Sequence, residues 1–285
     1  MKMPLVAAQQ VNLGEHLKAQ LFWMVQPLPF WPRKHPEKHF GASRSGPGNM
    51  DFLAPRPTQD EFARHVEEGC PYRADDVMKP EQAVSTGTTI MAVEFDGGVV
   101  MGADSRTSTG QYVANRASRK ISKVHNKIFV CRCGSAADTQ ALTGFVVNYL
   151  GQHAVELGKD PTVNTAANLF KMIAYNNKDN LLAGLIVAGY DEKRGGQVYS
   201  IPLGGSRIRV PWACDGSGSG YIKGFIDSHY RPGMSKAECL EFVQKALCFA
   251  MSRDGSSGGV VRTLVITKDK VEESMIEGNK LAFGP

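Results

Sequence analysis

The chain has 285 residues, 42% of them hydrophobic, enough apolar material for one large domain or two ordinary ones. Its formal net charge of +5 is mild and dispersed, with no long run of like charges and no basic stripe interleaved with aromatics, which argues against nucleic acid as a partner. Six cysteines (Cys70, Cys131, Cys133, Cys214, Cys239, Cys248) in a long chain without a secretory signal point to reduced thiols in the cytosol or nucleus, not to a disulfide framework.

Residues 1–87 hold ten of the fifteen prolines and show no sustained hydrophobic period, so they are expected to be largely irregular, with at most one or two helical turns at 60–68. The apolar stretch 3–8 is too short for a signal peptide, and 21–31 is interrupted by Pro27 and Pro29. Neither reaches the ~18 residues of a spanning helix, and no membrane is expected. His35-Pro36-Glu37-Lys38-His39 has two histidines, but the glutamate is misplaced for a metalloprotease and the proline opposes a helix.

From Thr88 onward the patterning is continuous. A strand at 89–95 and another at 99–104 flank Asp96-Gly97-Gly98, a hairpin signal. A polar loop at 105–119 follows, then apolar strands at 121–124 and 128–133. Residues 136–157 place Leu142, Phe145, Val146, Tyr149, Leu150, Ala154 and Leu157 on one helical stripe, and 164–176 repeats the spacing. Strands return at 182–190, 197–202 and 207–214. Two further helices are expected at 218–230 and 235–252, the second opened by the capping box Ser235-x-x-Glu238. Strands at 259–267 and 271–276 close the domain. Strands, two helices, strands, two helices, strands is an α+β order, accommodated by two stacked sheets between two helical layers.

The chemistry centres on Gly87-Thr88-Thr89. A threonine at the head of a folded domain becomes reactive once the bond before it is cut, because its hydroxyl then lies beside its own α-amine, a nucleophile with a built-in base. Asp104 ends one strand and Lys120 opens the next, so both reach one rim of a sheet near Thr88. They form either a surface ion pair of little consequence or a buried, tuned lysine held by its aspartate. Gly134, between a strand and a helix, is an ordinary turn glycine or an oxyanion donor. Cys131 and Cys133 lie in an apolar strand with no second pair at zinc spacing, so they are read as buried thiols. Asp215-Gly216-Ser217-Gly218-Ser219-Gly220 lacks the third glycine of a dinucleotide loop, and Gly255-Ser256-Ser257-Gly258-Gly259 links helix to strand, the reverse of a nucleophile elbow.

These motifs together, Gly87-Thr88-Thr89, Gly102-Ala103-Asp104-Ser105-Arg106, Lys120, Gly134-Ser135-Ala136-Ala137-Asp138, Gly216-Ser217-Gly218-Ser219 and Arg253-Asp254-Gly255-Ser256-Ser257-Gly258-Gly259, resemble the proteasome β subunits, threonine proteases of the N-terminal-nucleophile hydrolase fold. The resemblance runs from Gly87 to about Thr267. It implies a four-layer αββα sandwich at 88–285 and a pro-segment at 1–87 removed by cleavage of Gly87–Thr88. It also implies Thr88 as nucleophile, Asp104 and Lys120 as its charge and proton-relay partners, Gly134 N–H as oxyanion donor, and Ser217, Asp254 and Ser257 as supports.

As partners the family implies other α and β subunits in a 28-subunit barrel of four heptameric rings, and as substrates unfolded polypeptides, in cytoplasm and nucleus. No cofactor or metal is implied. The stretch from Thr88 to Arg116 is similar to the caspase-like members, which cleave after acidic residues. Arg132, two residues before Gly134 and so on the same side of its strand, fits a guanidinium lining the substrate pocket, with Thr107, Ser118 and Ser122 as further pocket candidates. A non-catalytic ring subunit is the alternative.

Overall fold

The computed structural model describes residues 87–109 and 112–281. Expectations that fall on residues 1–86, including the irregular leading segment, the helical turns at 60–68 and Cys70, lie outside the described residues. The hairpin β1 (Ile90–Phe95) and β2 (Gly98–Ala103) pairs Ile90 with Ala103 and Phe95 with Gly98 across the Asp96-Gly97 turn. A short ribbon, β3 (Thr107–Thr109) and β4 (Tyr112–Asn115), precedes the second hairpin, β5 (Ile121–His125) and β6 (Ile128–Gly134). Helices α1 (Ala136–Leu157) and α2 (Val163–Asn176) come next, followed by β7 (Ala183–Asp191), β8 (Gly195–Ile201), β9 (Ile208–Val210) and β10 (Trp212–Asp215). Helices α3 (Ser219–His229) and α4 (Lys236–Arg253) and strands β11 (Val260–Thr267) and β12 (Val271–Glu277) complete the order.

Two five-stranded antiparallel sheets result, β10-β1-β2-β11-β12 and β5-β6-β7-β8-β9. Because side chains alternate across a strand, each central strand feeds two cores. In β6, Phe129, Cys131 and Cys133 enter the layer between the sheets, whereas Ile128 and Val130 face α1 and α2. In β1, Ile90 and Ala92 enter the inter-sheet layer, and Met91, Val93 and Phe95 pack under α3 and α4. Three apolar layers separated by two sheets make the αββα sandwich. Burial on both faces also explains why these antiparallel strands read as continuous apolar runs. The capping box at Ser235 and Glu238 forms as expected, and α4 buries Val243, Leu247 and Ala250.

Three sequence-level expectations need correction. The single strand read at 207–214 is two, β9 and β10, in different sheets. Pro211 has no N–H to donate to a ladder, and the chain bends there to cross between sheets, with Pro211 O accepting from Glu94 N at 2.8 Å. The loop at 105–119 carries the ribbon β3–β4, which gives no apolar alternation to read: β3 is wholly polar and β4 exposes every residue. Helix α1 buries its stripe only as far as Leu150, and Leu157 is half-exposed.

Candidate active site

The loops at one end of both sheets converge on Thr88. Asp104 lies one residue past β2, Lys120 one residue before β5, Ser217 in the turn after β10, and residues 254–258 in the loop from α4 to β11. Thr88 is 3% exposed and Asp104 wholly buried. Asp104 is held by four donors. Its Oδ1 accepts from Lys120 Nζ and Thr89 N, both at 2.8 Å, and its Oδ2 from Arg106 N and Gly258 N, both at 3.1 Å. A carboxylate so satisfied tolerates burial. Of the two readings open for Asp104 and Lys120, the surface pair is therefore excluded, since Lys120 is itself buried.

Lys120 Nζ also donates to Gly87 O at 2.8 Å. Burial pulls the lysine below its ordinary pKa, opposed by the charge of Asp104 and its hydrogen bond. The Thr88 hydroxyl donates to the same Gly87 oxygen at 2.7 Å. The carbonyl ahead of the threonine thus receives a hydroxyl and an ammonium together. No positive φ is needed at Gly87, but space is: a Cβ there would lie 2.1 Å from Ser256 Cβ and 2.3 Å from Ser256 O.

On the other side of Thr88, its backbone N donates to Ser217 Oγ at 3.1 Å, and Ser217 Oγ donates to Asp254 Oδ2 at 2.7 Å. Asp254 Oδ2 also accepts from Ser257 Oγ at 2.6 Å, and Ser257 shares a 2.7 Å bond with Thr89 Oγ1. Ser217, Asp254 and Ser257 are thereby linked in one network that reaches Thr88 N.

Beside this network lies a cavity of about 60 Å³. Thr88, Thr107, Ser118, Arg132 and Gly134 all border it, with Arg119 and Lys120. Thr107 and Ser118 share a 2.7 Å hydroxyl–hydroxyl bond. Arg132 is only partly exposed; its NH2 group donates to Arg119 O at 3.1 Å, and burial lowers its pKa. Gly134, at φ 100°, sits where a Cβ would come within 2.4 Å of Leu182 O, so both conformation and space require glycine. Ser122 is not among the residues that border the cavity. Its cross-strand partner is the fully buried Val130, one row further along the sheet than Arg132.

The sequence reading held Thr89, Arg106 and Ser256 within its motifs but gave none of them a role. Thr89 N and Oγ1 anchor Asp104 and Ser257, Arg106 NH1 donates to Gly255 O at 2.8 Å, and Ser256 walls off Gly87. The role of Thr89 is local to Thr88, which it follows. The other two act across 149 or more positions of chain. Among the described residues no group of three or more His, Cys, Asp or Glu is arranged to hold a metal ion, and no helix is long and apolar enough to cross a membrane.

Sequence comparison places known proteins beside this geometry. A family described as proteasome subunit matches residues 84–266. Proteasome subunit beta type-6 of Dictyostelium discoideum is 57% identical over 201 residues, 70% of this chain and 94% of that protein. Proteasome subunit beta type-1 of Saccharomyces cerevisiae is 53% identical over 189 residues, 66% and 87% of the two chains. Proteasome subunit beta type-9 of Oncorhynchus mykiss is 50% identical over 210 residues, 73% and 96%.

Proposed function

The chain belongs to the proteasome β-subunit family and so assembles with other proteasome subunits in the core particle; from that premise we propose that it is a threonine endopeptidase that activates itself by cutting Gly87–Thr88 and then cleaves peptides after acidic residues. The observation that carries the reading is the Gly87 carbonyl oxygen, which accepts from both the Thr88 hydroxyl and Lys120 Nζ.

In self-cleavage the Thr88 Oγ adds to the Gly87 carbonyl carbon. Lys120, charged and held by Asp104, stabilises the oxygen as it becomes anionic, in a buried setting where such contacts are strongest. The C–N bond breaks, the hydroxyl proton finishes on the departing nitrogen, and an ester to Oγ remains. Water hydrolyses the ester, which frees residues 1–87 as a carboxylate-ended pro-segment and restores the hydroxyl. Thr88 N, already bonded to Ser217 Oγ, is now an amine able to take the hydroxyl proton. Lys120, left with Asp104, favours the alkoxide of Thr88 by charge.

In turnover Thr88 Oγ attacks the substrate carbonyl and Gly134 N–H stabilises the oxyanion. The amine protonates the leaving nitrogen, and water resolves the ester. Asp254 and Ser257 hold Ser217 and Thr89 in place. Arg132, with Thr107 and Ser118 in the same cavity, supports an acidic preference, because a guanidinium is matched by a carboxylate in charge and shape. The wider assembly, 28 subunits in four heptameric rings acting on unfolded polypeptides in cytoplasm and nucleus, belongs to the same proposal.

The test is the N-terminal sequence and intact mass of the chain from the assembled particle. A chain that begins at Thr88 is the expected result. An intact Gly87–Thr88 bond in the mature particle would instead make the chain a non-catalytic ring subunit.

A further inference from the structure

We propose that Arg119, which borders the cavity and carries an exposed side chain, is a second specificity-determining residue, whose guanidinium draws an acidic substrate side chain in before Arg132 binds it. The inference rests on the reading of the cavity as the pocket for that side chain. The cations among the lining residues are Arg119, Lys120 and Arg132, and no carboxylate lines it. Lys120 is neutralised by the buried Asp104 at 2.8 Å, which leaves the two arginines as the cations able to answer an arriving carboxylate. Arg132 forms no ion pair among the described residues, and its Nε is buried without a hydrogen-bond partner.

Arg119 differs in kind from Arg132. Its side chain is 68% exposed, and it faces Glu273 at 3.4 Å, itself 47% exposed and shared with Arg262 at 3.8 Å. An exposed pair of this geometry is weak and screened, so the guanidinium can exchange Glu273 for a carboxylate arriving at the cavity. The Arg119 carbonyl, not its side chain, supports Arg132. Substituting the side chain therefore leaves the inner guanidinium in place.

A buried arginine reads the bound side chain, and an exposed one raises its local concentration through a field that salt screens over ~10 Å at 0.1 M. Arg119 should thus act on KM and on salt dependence, with kcat little changed.

The experiment uses assembled particles carrying wild-type chain, Arg119→Gln, Arg119→Glu, Arg119→Lys or Arg132→Ala. A Thr88→Ala particle supplies the background from other subunits. Two peptides identical except for Glu or Gln before the scissile bond are compared at about 0.02 M and about 0.3 M salt, which bracket the screening length. We expect Arg119→Gln to lower the Glu-over-Gln ratio of kcat/KM about two- to fivefold at low salt. Arg119→Glu should lower it further, Arg119→Lys should restore most of it, and added salt should bring wild type toward Arg119→Gln. The rate on the Gln peptide, and a mature N-terminus at Thr88, report that the variants are folded.

If both ratio and salt response are unchanged in Arg119→Gln and Arg119→Glu while Arg132→Ala removes the preference, the role of Arg119 is overturned and the acidic pocket stands. If wild type cleaves both peptides equally, the pocket reading falls and Arg119 falls with it.

Discussion

Replacing Gly87 by alanine adds one methyl group beside the bond whose self-cleavage is proposed. That methyl would lie 2.1 Å from Ser256 Cβ, 2.3 Å from Ser256 O and 2.6 Å from Ser256 C, whereas ordinary contact begins near 3.4 Å. Backbone atoms on that list cannot rotate away, so Gly87 or the 254–258 loop must move by about 1 Å. Such overpacking costs about 1–3 kcal/mol. In the proposed self-cleavage the rate consequence is larger than the stability one, because the shift displaces the carbonyl that accepts from Thr88 Oγ and Lys120 Nζ. A misplacement of about 1 Å costs on the order of a hundredfold.

The assay follows intact mass of the Gly87→Ala chain in assembling particles over time, against wild type. The double variant Gly87→Ala, Ser256→Gly removes the Cβ contact but leaves the backbone oxygen, and should be only partly rescued. Maturation of Gly87→Ala at the wild-type rate would refute the steric argument, and complete rescue by Ser256→Gly would refute the assignment of the obstacle to backbone.

Lys120→Arg keeps a positive charge but not the fit of a compact ammonium between Gly87 O and Asp104; it should mature and turn over at least about a hundredfold more slowly, and near-normal rates would remove the lysine's geometry from the mechanism. Arg132→Ala should lose about 2 kcal/mol, roughly thirtyfold, in kcat/KM for peptides with Glu before the scissile bond, while unchanged cleavage of them would take Arg132 out of the pocket. Burial lowers the Lys120 pKa from its ordinary 10.5, so self-cleavage of isolated precursor should fall with a midpoint below that value. Over the same window the unfolded chain holds more protons than the folded one, so on Lys120's account stability rises with pH as the rate falls. A rate that stays flat to pH 10.5 with the chain folded would contradict a charged lysine.

The helices and the apolar strands were legible because they obey local periods. The bounds of α1, Ala136–Leu157, follow from its stripe, and the structure ends it at a left-handed Gly158. Thr88, Asp104 and Lys120 were legible as candidates because a strand end and a strand start put them on one rim, and they meet through bonds of 2.7 to 2.8 Å around the Gly87 oxygen and Asp104. What the sequence did not disclose is long-range shape. The wall that Ser256 raises against Gly87 depends on two loops folding together from opposite ends of the domain. Ser122 stands one row along the sheet from Arg132, a placement that strand alternation, which gives the face but not the row, does not disclose. The strand at 207–214 failed because β propensity on both sides of Pro211 conceals a change of partner.

That change of partner has a consequence for how the domain comes apart. A single residue, Pro211, separates β9 from β10, and Glu94 of β1 bonds both to Pro211 O through its N–H and to Val198 N of β8 through its side chain. The two sheets are fastened at the crossing by chain and by hydrogen bonds alike, too short a tether to let one peel from the other. Subglobal opening of one sheet should expose the shared inter-sheet layer and take the second sheet with it. Amide protons of β1 and β8 should therefore exchange with a common protection, as one cooperative unit.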